Sequence, residues 1–365
     1  MSWEICGPSA LRLHRTPPHV ACMLPPLPPL EYRSQRAALP RSAAYQEIFR
    51  GPLHVLVDDC SLRNGSRNLV AHVWKGDLPS QAFWSDEDLN ATFTSPLFTL
   101  LTLAPLVSTT HLAMAAFELC GAFSVFRPSP AVQKELDLLA HQRLSWPHNW
   151  KQVRDHEGRP TSLWQRDPLI EIAELDAFVQ RTKGARGNRK LAQAAHMVTG
   201  VCASPLEVQA SMLFGLSRRL GGEGLGPFSN NQRIPLSPAA RKLAGQSTCY
   251  ADLFFQATES HGDIDVELQG HVIHDGGTAG GLDANRALGL QSMGVDVVLL
   301  TSEQLADARR FRETAAYLAR RLGIARRPKT PAMLAREDAL RRDLFIDWET
   351  LGSAPAAQRE RRPSR

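Results

Sequence analysis

No two of the six cysteines, Cys6, Cys22, Cys60, Cys120, Cys202 and Cys249, stand at a Cys-x-x-Cys spacing. That excludes a zinc ribbon and a thioredoxin-type dithiol, and leaves scattered thiols of the kind a reducing compartment maintains. Long apolar runs are missing too. The most apolar stretch, Phe98 to Val107, is interrupted by Pro105. It falls far short of the ~20 residues that a membrane crossing takes, so it reads as a core helix. The first residues lack the unbroken apolar segment of a secretory signal, because His14, Arg15 and several prolines divide them. No repeat of fixed period is visible. The expectation is a cytoplasmic protein that does not enter the membrane.

What is present is ordinary globular material. Of 365 residues, 43% are hydrophobic and 22% charged, enough for more than one ordinary core. The net charge of +5 is unevenly spread. Arg309-Arg310, Arg320-Arg321, Arg326-Arg327, Lys329 and Arg341-Arg342 crowd the last third, and Arg359, Arg361, Arg362 and Arg365 follow. Solvated helix faces account for this as readily as a polyanionic partner does.

Proline pairs at 17–18, 25–26 and 28–29 predict an irregular arm over residues 1–45, with a short helix around Ser9 to His14. A mixed α/β region is expected over residues 46–200. Leu53 to Val57, Leu69 to Trp74 and Ala91 to Thr94 read as strands. Ser95-Pro96 marks a helix start, and Gly121 ends a second helix that begins at Thr109. A helix is expected from Ala131 to Leu144, and two more at Leu169 to Thr182 and Gly187 to Val198. The turn between the last two, Lys183-Gly184-Ala185-Arg186-Gly187, is basic and glycine-punctuated. Such a turn either joins two helices or touches phosphates.

Residues 201–325 carry the chemistry, and residues 326–365 read as a basic helix and tail. Ser204-Pro205-Leu206-Glu207 opens a helix expected to reach Leu220. Strands follow at Asn231 to Leu236, Cys249 to Phe255 and Asp263 to Gln269. A glycine-rich loop then leads to a helix from Leu282 to Met293, a strand from Val295 to Leu300, and a basic helix opened by Thr301-x-x-Gln304 and ending near Leu322. Period-two alternation places Asp263, Asp265, Glu267 and Gln269 on one strand face. An exposed edge strand would alternate in the same way. Asp252 is harder to read as surface, since apolar neighbours flank it on a strand expected to be buried. A carboxylate there is costly unless compensated, and a hard divalent cation compensates it well.

This run resembles the very-short-patch-repair-endonuclease-like branch of the PD-(D/E)XK nuclease superfamily. Glu207 matches that branch's helix acid and Asp252 its strand Asp. Glu267-Leu268-Gln269-Gly270 matches the Glu-bearing strand end, and His271 and His274 stand where its His does. Asp283-Ala284-Asn285-Arg286 matches the Asp-x-x-Arg helix, and Gly294 to Val298 the last strand. The resemblance implies a restriction-endonuclease-like mixed sheet flanked by helices. It further implies that Asp252 and Glu267 hold Mg²⁺ or Mn²⁺, that Glu207 assists, and that DNA is the partner. Arg286, Arg309 and Arg310 would meet its phosphates. Gln269 departs from the pattern, because it replaces a Lys or Asp and supplies neither charge nor base. His274 is then the nearest candidate base. The N-terminal half is similar to the region preceding such domains in proteins likened to AbiEi-type antitoxins, on Leu69 to Trp74 and Phe93 to Leu101. The resemblance therefore implies either a metal-dependent DNA endonuclease or a catalytically inactive nuclease fold that binds DNA or regulates.

Overall fold

The computed structural model describes residues 3–30, 32–49, 51–62, 67–139, 147–155, 157–270 and 279–352. The fold is mixed α/β, with three sheets among the described residues. The first sheet holds β1 (Glu4–Ile5), β2 (Leu53–Val57), β3 (Leu69–Val73), β4 (Phe83–Asp86) and β5 (Ala91–Thr94), in the order β3-β2-β1-β5-β4. The second holds β6 (Phe123–Val125), β7 (Lys151–Arg154) and β8 (Pro160–Gln165), in the order β6-β8-β7. The third holds β9 (Ser229–Pro235), β10 (Thr248–Phe255), β11 (Ile264–Gln269) and β12 (Asp296–Thr301), in the order β12-β11-β10-β9.

Helices α1 (Gly7–Arg15), α2 (Pro18–Ala21), α3 (Arg33–Ala38) and α4 (Ala43–Ile48) belong to the first part of the chain. Helices α5 (Pro96–Leu103), α6 (Thr109–Cys120), α7 (Pro130–Leu139), α8 (Ile172–Arg181) and α9 (Asn188–Ala195) follow. The last third contributes α10 (Pro205–Gly215), α11 (Pro238–Ala244), α12 (Ala279–Gln291), α13 (Ser302–Ala306), α14 (Ala308–Arg321) and α15 (Pro331–Leu344). Several begin with a hydroxyl residue followed by proline. In α10, α11 and α15 the hydroxyls of Ser204, Ser237 and Thr330 accept the backbone N–H three residues on, and proline fills a first-turn position that needs no donor.

The N-terminal arm differs from expectation. β1 lies inside the first sheet, between β2 and β5, and every residue of α1 is buried. The short helix expected around Ser9 to His14 is α1, with Pro8 in its first turn, and Pro18 begins α2; the pairs 25–26 and 28–29 lie in irregular chain as expected. Its buried cations are paired. Arg15 and Glu118, both fully buried, form an ion pair, and Arg12 meets Glu349 at 2.9 Å. Two further expectations are corrected. α10 stops at Gly215 instead of Leu220, since the chain doubles back so that Glu223 N–H donates to the Leu213 carbonyl. The basic helix is broken at Asp307, whose carboxylate caps α14 through Arg310 N–H at 2.7 Å.

The third sheet positions the acidic residues. β9, β10 and β11 run antiparallel, and β12 is parallel to β11, with α12 as the crossover between them. Leu253, Phe255, Ile264 and Val266 pack into the main core with Phe214 of α10 and Phe311 of α14. Phe254 and Val297 pack on a smaller cluster with Ala240 and Ala244 of α11 and Leu290 of α12. Helices therefore cover both faces, and β11 is an inner strand. The exposed-edge reading of its acidic face does not hold, because Asp265 has no solvent exposure.

Candidate active site

Asp252 sits on β10 and Glu267 on β11. Leu253 pairs with Val266 and Phe254 with Asp265, so the antiparallel register places Asp252 across from Glu267, on one face of the sheet. The Asp252 carboxylate accepts the Leu268 backbone N–H at 2.7 Å, which ties the side chain to the neighbouring strand. Glu207 comes from the first turn of α10 and is buried. It accepts Ala203 N–H at 2.7 Å and the Ser204 hydroxyl at 2.8 Å. Glu207 thus ties down the chain just before its own helix, through Ala203 and Ser204.

These three acids line one cavity of about 160 Å³, together with Gln269, Arg286 and the apolar walls Ala287, Leu290 and Leu299. Arg286, on α12, donates to Glu267 and to the Tyr250 carbonyl, while its buried Nε has no hydrogen-bond partner among the described residues. It is the one cation among the described residues that line this cavity.

Burial dominates the electrostatics, with neighbouring carboxylates adding to it for Glu207 and Glu267. Burial pushes the Glu207 carboxyl up to about 8, with the Asp252 charge adding to the shift and its hydrogen bonds opposing it. Burial and the neighbouring Asp265 push Glu267 up to about 9, outweighing Arg286. Asp265 rises to about 6, chiefly through burial. Unprotonated, neither Asp265 oxygen has a hydrogen-bond partner. A proton held between Asp265 and Glu267 satisfies the pair, so the two titrate together.

The cavity gathers Glu207, Asp252, Glu267, Gln269 and Arg286, all five of them singled out in the sequence. No family model, characterised protein or solved structure matches the chain. Other sequence candidates lie elsewhere. Arg309 and Arg310 are exposed on α14, paired with Glu313 and Glu303, and do not line the cavity. Asp283 falls within α12, and His271 and His274 lie outside the described residues. Asp265 was not singled out as a site residue, although its alternation with Glu267 was visible. Its burial could be read only once β12 was seen to cover the far edge of β11.

Among the described residues no group of three or more His, Cys, Asp or Glu side chains is arranged to hold a metal. A two-carboxylate site fits better, because magnesium keeps several waters and takes one or two protein carboxylates. Asp252 and Glu267 face each other across adjacent strands, and burial, more than neighbouring charge, raises the Glu207, Asp265 and Glu267 carboxyls, a cost that a bound cation would offset.

Proposed function

We propose that the chain is a metal-dependent DNA endonuclease that hydrolyses phosphodiester bonds in this cavity. One observation carries the reading: carboxylates from a helix and two adjacent strands converge on a small cavity that holds one arginine. Asp252 and Glu267 would hold the ion, Mg²⁺ or Mn²⁺. When bound, such an ion lowers the pKa of a coordinated water and offsets charge on the phosphate. Glu207, kept protonated near neutral pH, holds a proton at the cavity wall and hydrogen-bonds through Ala203 and Ser204. Arg286 carries the positive charge that Gln269 lacks, and its unpaired buried Nε is a donor for a phosphate oxygen. The buried Leu290 gives the cavity an apolar side, and a drier wall there strengthens these interactions. Arg309 and Arg310, exposed on α14, would contact DNA backbone farther away.

Two features favour a second reading, a nuclease fold that binds DNA or regulates without cutting. Gln269 lines the cavity where a charged residue is expected, and Arg286 already pairs with Glu267. Thermal melts with Mg²⁺ and Mn²⁺ test the ion site that both nuclease variants of the reading share. At an ion concentration about 100 times Kd, the wild-type protein gains about 2.7 kcal/mol, seen as a higher Tm. Asp252→Asn and Glu267→Gln should lose most of that gain. Equal metal stabilisation of all three proteins would remove the site, and metal stabilisation without plasmid nicking would favour the second reading.

A further inference from the structure

A second, larger cavity of about 760 Å³ lies where the end of β3 and the loop after it meet the turn between α8 and α9. The basic glycine-punctuated turn singled out in the sequence forms one wall. Gly184 and Gly187 both have positive φ, +87° and +92°, and a Cβ on Gly187 would lie 2.8 Å from the Leu101 carbonyl oxygen. The turn therefore depends on glycine, and it places Lys183 and Arg186 on the cavity wall. Arg181, at the end of α8, and Lys75, from the β3 loop, complete four cations against one carboxylate, Asp77.

Some exposed arginines elsewhere have carboxylate partners, as in Arg154 with Asp137 and Arg159 with Asp155. Lys75, Arg181, Lys183 and Arg186 form no ion pair among the described residues, although they share one concave surface. Like charges gathered without partners in a concave surface focus a positive potential that attracts anions. The cavity is also too large for a lone oxyanion, and Trp74, Leu78 and Leu101 give it apolar walls. Its volume falls in the range of ordinary small-ligand sites. A ligand with a multiply charged phosphate end and a flat or apolar body matches that combination.

We propose that this cleft binds a phosphorylated nucleoside, free or at the end of a nucleic-acid strand, with Lys183 and Arg186 on the phosphates and the Trp74 side of the cavity beside the base. The site is separate from the carboxylate cavity and does not depend on cleavage there. The probes are fluorescent adenosine diphosphate and a labelled 5′-phosphorylated single-stranded oligonucleotide, titrated against the full chain by anisotropy at low salt. The charge-reversed pair Lys183→Glu/Arg186→Glu is compared with Arg154→Glu/Arg159→Glu, which makes the same change of net charge elsewhere. Binding of either probe should weaken about tenfold or more in the first variant and much less in the second. Inorganic pyrophosphate should compete. Binding of the diphosphate identifies the free nucleotide, and binding of the oligonucleotide alone identifies the strand end. Absence of binding by both probes, or equal weakening in the two variants, overturns the proposal without bearing on plasmid nicking.

Discussion

Glu267 is held by opposing influences. Burial and Asp265 favour its neutral form, while Arg286 favours the charged one, and the first two prevail. The consequence for stability has a definite sign. Glu207 and Glu267 have folded-state values of about 8 and about 9, above the ordinary 4.5 of an unfolded chain, so the native state keeps protons that the unfolded state releases. Their contribution is fully present below about pH 4.5 and is lost as pH rises toward about 9. Melting curves of the metal-free protein should show Tm falling over that window, and Glu267→Gln should flatten the fall. An unchanged pH dependence in the variant would mean that Glu267 is not titrating there. At this scale the sequence was informative about identity and silent about environment. Asp252 stood out because apolar residues flank it, and Glu207 because it opens a helix. Nothing in the sequence placed Arg286 on Glu267, since that contact depends on how the α12 crossover lies over β10 and β11.

Among elements, legibility followed how much of each element's pattern was local. β2 and β5 were bounded correctly because β-rich runs end at turn residues, and α6 because Ser108 caps it and Gly121 stops it. α11 was missed although its start and stop signals, Ser237-Pro238 and Gly245, were present; it is only seven residues long. α1 was only partly legible, since arginines and a histidine lie inside it and their partners are more than 100 residues away in some cases. β4, β6, β7 and β8 carry no clear alternation and owe their existence to pairing. The contact between α11 and α12 rests on one small residue: a Cβ at Gly289 would lie 2.8 Å from the Ala244 Cβ. Gly289→Leu should separate the two helices, cost about 1–3 kcal/mol and displace Arg286 from the cavity. Denaturant unfolding and plasmid nicking measure the two effects, and a variant as stable and as active as the wild type would show that the helices tolerate the added bulk.

Across the whole molecule, one core connects the early and late parts of the chain. Cys6 and Leu11 belong to the same buried cluster as Leu253, Val266, Phe311 and Leu351. The Arg15–Glu118 pair lies where α1 meets the segment carrying Trp348 and Leu351. Glu118 also accepts Trp348 Nε1–H at 2.8 Å and Val125 N–H at 3.0 Å. Glu118→Ala leaves the Arg15 guanidinium buried and uncompensated, with an expected loss of about 3–5 kcal/mol. Because the core is shared, calorimetry should show that loss as a lower single transition, and a shift of only one of two transitions would contradict a shared core.

The carboxylate cavity lies on this frame, and the reaction proposed for it is metal-dependent cleavage of DNA. The most direct measurement is nicking of supercoiled plasmid by purified wild-type protein in Mg²⁺ or Mn²⁺, beside Asp252→Asn under identical conditions. The expected result is metal-dependent conversion to open circles by the wild type and a loss of at least ~10²-fold in the variant, since the role proposed for Asp252 is to help hold the ion beside the reacting phosphate. Wild-type protein that leaves the plasmid intact in both metals, or an Asp252→Asn variant that nicks as fast as the wild type, would contradict it.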